Sequence, residues 1–86
     1  MKHAPNQIKD FLRIASEGLD INLSKNLCYN WDGTLFVFFK DTEYAKAIAL
    51  MKALNDLFRD KRNLKGLRVI VSPAWKAFHL EIVDLG

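Results

Sequence analysis

Apolar residues recur at helical spacing over 7–17, where Ile8, Phe11, Leu12 and Ala15 share one face. Asn6 stands where a side-chain oxygen can cap such a helix. Gly18 stands where a left-handed residue can end it. Leu19, Ile21 and Leu23 then alternate with Asp20 and Asn22, which suits either a short strand or an extended connection. Over 26–31, Leu27, Tyr29 and Trp31 alternate with Cys28 and Asn30. Asp32-Gly33 follows, then a run of β-formers through 34–40. A type I′ turn needs positive φ at both central residues, so Asp-Gly between two such runs predicts a two-residue hairpin. The second run is apolar on both faces, which predicts a central strand covered on both sides.

Asp41 or Thr42 is placed to cap a long helix over 42–60. Its predicted buried stripe is Tyr44, Ala47, Ile48, Met51, Leu54, Leu57 and Phe58. A basic loop at 61–66 leads to a strand over 67–72 that Ser72-Pro73 should break. A last strand is expected over 78–83, with Phe78, Leu80 and Ile82 alternating against His79 and Glu81. The order α-β-β-α-β-β predicts a single α+β domain over 1–86, with helices packed on one face of a mostly antiparallel sheet.

The chain has 86 residues, half of them hydrophobic, and a formal net charge of +3. That supports one core with little room for a deep cavity, and the charge permits nucleic-acid contact without requiring it. Cys28 is the one cysteine, so no internal disulfide can form; this fits a reducing compartment and a cytoplasmic location. The N-terminus lacks the apolar core of a signal peptide, and the longest apolar run, 35–39, is far short of a membrane span.

Catalytic chemistry finds no footing. His3 and His79 share no ligand spacing with Cys28 or the carboxylates, and His79 reads as a solvent-facing strand residue, so neither metal nor cofactor is expected. Cys28 has no base or orienting group in view and reads as structural. The four glycines form no phosphate-binding loop. The chain is therefore read as a binding protein and not an enzyme.

Two features suggest binding. Arg59, Lys61, Arg62, Lys65 and Arg68 cluster where the long helix ends, with Lys9, Arg13 and Lys2 as possible extensions. Cations there either complement the helix dipole or contact phosphates. The aromatics Tyr29, Trp31, Phe36, Phe38 and Phe39 could stack bases as well as fill a core, and most are expected in the core. Trp75, in the loop after Pro73 with Lys76 beside it, is a lid on the core or an anchor for a partner.

Cys28-Tyr29-Asn30-Trp31-Asp32-Gly33-Thr34-Leu35, the helix start at Asp41 with Tyr44-Ala45, and Leu64-Lys65-Gly66-Leu67-Arg68-Val69-Ile70-Val71 together resemble the N-terminal domain of the DciA family. These proteins load the bacterial replicative helicase, and the domain has a type II KH-like fold. The resemblance implies a non-enzymatic adaptor that contacts the replicative DNA helicase and DNA, with the basic residues on phosphates. Tyr44 departs from the Trp common in the family. A predicted strand also closes the chain where members usually continue into a flexible extension. The competing expectation is a small protein-interaction module, such as an inhibitor, immunity protein or phage-encoded adaptor. It could dimerise by edge pairing of the C-terminal strand.

Overall fold

The Asp32-Gly33 turn organises the molecule. In the computed structural model, which describes residues 5–60, 64, 66–74 and 77–84, Asp32 has φ 52° and Gly33 φ 81°. These are the two left-handed residues that a type I′ turn requires. They join β1 (Cys28–Trp31) to β2 (Thr34–Lys40), with Trp31 opposite Thr34 and Cys28 opposite Val37. The pairing runs on past β1: the Phe38 N–H donates to the Leu27 carbonyl, and the Asn26 amide donates to the Phe38 carbonyl.

The first helix, α1 (Pro5–Gly18), opens on proline, whose fixed φ suits the first helical position; Asn6 therefore lies inside the first turn and not at its cap. The left-handed residue at its end is not Gly18. The helix runs through Gly18, and Asp20 takes φ 56°. Asp20 N–H donates to the Glu17 carbonyl and Ile21 N–H to the Ser16 carbonyl, the bond pair of a Schellman motif. Aspartate tolerates this conformation better than most residues. Residues 19–25 form turns and not a strand, with Ile21 and Leu23 packed partly against the core.

A short 3-10 turn (Asp41–Glu43) leads into α2 (Tyr44–Asp60). The Glu43 carboxylate accepts from the Lys40 N–H and so steadies the entry. Ala47, Leu50, Leu54 and Phe58 form the buried stripe, while Tyr44 stays exposed beside the Phe78 ring. Strand β3 (Leu67–Ala74) continues through Pro73, contrary to the expected break, and pairs along its length with β4 (Ala77–Asp84). An edge strand tolerates proline because half of its backbone N–H groups need no strand partner.

The sheet is antiparallel throughout, in the order β1-β2-β4-β3. This two-helix, four-strand arrangement is the expected α+β architecture. β4 lies between β2 and β3, so residues 78–83, contrary to expectation, offer no free edge and cannot carry the edge-paired dimer. The edges are β1 and β3. Helix α2 packs across β2, β3 and β4, and α1 packs on α2 through an edge-to-face contact of Phe11 and Phe58. Between helices and sheet, Leu35, Val37, Leu50, Leu54, Leu80 and Ile82 are fully buried. No helix among the described residues is long and apolar enough to cross a membrane.

A candidate docking face on the open side of the sheet

Alternation along each strand sends every second side chain away from the helices. On β2, Leu35, Val37 and Phe39 point into the core and are buried. Thr34, Phe36 and Phe38, of the opposite phase, remain partly exposed. Among the described residues, the expected cover on both faces of this strand is thus present on one face only. No described element lies over the other.

The register arranges that outer face in ranks. One end carries Trp31, Thr34, Val83 and Arg68 across the four strands. The next rank is Tyr29, Phe36, Glu81 and Ile70. Then come Phe38, His79 and Ser72, with Leu27 beyond the start of β1. Lys40, Ala77 and Ala74 close the other end. Trp31 is 70% exposed, Leu27 63%, Ile70 45% and Tyr29 41%.

The aromatics hold one another in place. Tyr29 stacks on Phe36 and Phe38 at ring separations of 5.4 and 5.7 Å. His79 meets the same two rings edge-on at 5.5 and 5.7 Å. Such pairs contribute about 0.5–1.5 kcal/mol each beyond area burial and fix the shape of the surface. His79 Nε2 lies 2.5 Å from Glu81 Oε1, so the carboxylate in the middle of the face already has a partner. His79 is thus half-buried against rings and not simply turned to solvent. The expectation that the aromatics mostly fill the core holds for Phe39 but not for Tyr29, Trp31, Phe36 or Phe38.

The expected basic residues fall in two places. Lys9 and Arg13, exposed on α1, border a cleft of about 550 Å³ with Leu12, Ile21, Leu23 and Cys28, on the β1 side. Arg59 and Arg68 border a separate hollow of about 300 Å³ with Asn55, Phe58 and Leu67, beside β3. Arg59 is ion-paired with Asp56 one turn earlier on α2, and the Arg68 guanidinium donates to the Leu67 carbonyl at 2.9 Å. Arg13 pairs with Glu17 at 3.5 Å. Lys61, Arg62 and Lys65 lie outside the described residues, as do Lys2, Trp75 and Lys76. The exposed tryptophan that the structure does describe, Trp31, was missed from sequence. Its signal was the position next to the turn on a short first strand, where little covers a side chain.

Among the described residues no three of His, Cys, Asp and Glu gather as a metal site. Burial pushes the Cys28 thiol above its ordinary 9.0, and nearby Lys9 offsets this only partly. A thiol held protonated is a poor nucleophile. Alkylation of Cys28 by iodoacetamide near neutral pH should therefore run several-fold slower than for an unfolded control, and the rate should climb only above the ordinary thiol range. A fast, pH-flat reaction at neutral pH would contradict this.

The two sheet edges differ. The Asn55 side chain on α2 reaches Val69 on β3, donating to its carbonyl at 3.0 Å and accepting from its N–H at 3.1 Å. It occupies the place that a further strand would take. On β1, pairing of Leu27 with Phe38 sends the backbone groups of Cys28 and Asn30 the other way, since antiparallel pairing alternates.

Neither a family model, nor a curated protein, nor a solved structure matches this chain.

Proposed function

We propose that this chain is a non-enzymatic interaction domain that docks a partner protein on the open face of its sheet. The observation that carries this reading is β2, which is apolar on both sides while the helices cover only one. Exposed apolar side chains scattered singly need no explanation, but a contiguous aromatic and aliphatic patch marks a place of contact. Trp31 and Tyr29 have the character of interface anchors, large and amphipathic with few rotamers to lose.

A second reading has its own support. On a KH-like scaffold, as the resemblance implies, the chain is a cytoplasmic adaptor for the replicative DNA helicase that holds DNA at the basic segment 59–68. Arg59 and Arg68 bordering one hollow supports it, as the start of a phosphate-contacting surface.

Two titrations and a retention assay with purified helicase separate the readings. Electrostatic DNA binding falls steeply between about 50 and 200 mM salt. Protein docking predicts no such binding. It also predicts that Arg62→Glu/Lys65→Glu leaves partner retention intact while Trp31→Lys abolishes it. Salt-steep binding of single- or double-stranded DNA that vanishes in Arg62→Glu/Lys65→Glu overturns protein docking in favour of the second reading.

A further inference from the structure

The open face lacks a cover within the described chain, and its dimensions and charges favour one occupant. We infer that two copies of this chain stack through the outer sides of their sheets, an inference that rests on the protein-docking reading. Four strands about 4.8 Å apart, with same-face side chains about 7 Å apart along each, give a patch of roughly 500 Å² in plan. A standard interface covers about 800 Å² per partner, so a stable dimer must use the whole face, including the exposed Trp31, Leu27, Ile70 and Tyr29.

A two-fold axis sets this surface against itself, so the face must tolerate its own charges. Glu81, the one acid in the ranks, is paired with His79 before any contact is made. Arg68 and Lys40 stand at opposite ends of the sheet, and the Arg68 guanidinium donates to the Leu67 carbonyl, so neither puts a cation at the centre of the face. Between them the centre holds Phe36 and Phe38 with the His79–Glu81 pair, flanked on the two edge strands by Tyr29 and Ile70. Two such sheets pack about 10 Å apart with strands within about 30° of each other, and the bulk of Trp31 and Tyr29 suits that spacing.

The same face suits single-stranded nucleic acid less well. Bases would stack on the rings, but a strand also needs cations along its path. Here a carboxylate sits mid-face, and the two cations lie at opposite ends of the sheet.

Sedimentation of the full chain from low micromolar to several hundred micromolar tests the inference. The expected result is a reversible shift from a 9.9 kDa species to one of twice that mass. The dissociation constant should rise at least tenfold in Trp31→Lys and in Ile70→Lys, with thermal melting showing both variants folded. A wild-type chain that stays monomeric throughout overturns the dimer but leaves protein docking standing, because retention of a different partner is measured separately. A dimer that neither substitution weakens also overturns it, placing the contact at another surface such as the β1 edge. The last arm adds a single-stranded oligonucleotide to the Trp75→Phe chain, which leaves Trp31 as its only tryptophan. Quenching of Trp31 by the oligonucleotide in a chain that sediments as a monomer throughout assigns the face to nucleic acid and overturns both.

Discussion

Phe58→Ala should cost about 3–5 kcal/mol and leave the domain barely folded at room temperature. The ring is 2% exposed and sits near the end of α2, where it meets Phe11 edge-to-face at 5.7 Å. It also borders the hollow beside β3 together with Leu67. Removing it withdraws support from α1, α2 and β3 together. The cost combines lost transfer energy, a cavity that the surrounding helices can only partly close, and the loss of the aromatic pair. Domains of this size bury only about 60–65% of the surface their unfolded chains expose, so total stability belongs near the bottom of the usual range of about 5–15 kcal/mol. Urea unfolding followed by far-UV circular dichroism checks the prediction. Phe58→Leu is the control and should cost less than about 1.5 kcal/mol, since it keeps most of the volume. Equal, small losses in both variants would show that the ring is not the joint between α1 and the rest.

The elements themselves were legible wherever a local rule had a single solution. Asp32-Gly33 is one case: few residue pairs accept positive φ twice in succession, and both do so here. The long amphipathic helix is another, because a 3.6-residue period sustained over several turns has no competing reading. The relation between distant elements was not legible. Nothing local in residues 77–84 shows that they insert between β2 and β3, yet that insertion removes the edge expected to be free. Pro73 read as a break because a strand interior cannot use it, and it is tolerated because β3 turned out to be an edge.

The misreading of β2 is the most informative. A strand apolar on both faces states that both faces leave water. It does not state that the same chain supplies both covers. Sequence reasoning supplied the second cover from within the domain and placed Tyr29, Trp31, Phe36 and Phe38 inside. The two described helices are enough for one face of a four-stranded sheet. The basic cluster was legible as composition, but Lys9 and Arg13 belong to a different cleft from Arg59 and Arg68, a separation that only the strand order reveals.

Asn55→Ala should cost about 2–3 kcal/mol, which is large for a side chain that is not part of the hydrophobic core. The amide forms both of its bonds with one residue: Nδ2 donates to the Val69 carbonyl, and Oδ1 accepts from the Val69 N–H. A typical hydrogen bond contributes about 0.5–1.5 kcal/mol net, and stranding a partly buried backbone group costs more than replacing both partners would. Truncation strands two such groups at once, on the edge strand that α2 packs against. The loss has a second consequence. Unpaired N–H and C=O groups on an edge strand are a template for another chain, and Asn55 masks that template at the middle of β3. The variant should therefore unfold at lower urea and also aggregate at concentrations where the wild type stays clear. Asn55→Asp separates the two bonds, because it keeps an acceptor for the Val69 N–H but sets a carboxylate against the Val69 carbonyl; it should be at least as destabilised as Asn55→Ala. An Asn55→Ala chain with unchanged urea midpoint and solubility would mean that water satisfies Val69 equally well, and that the β3 edge is as open as that of β1.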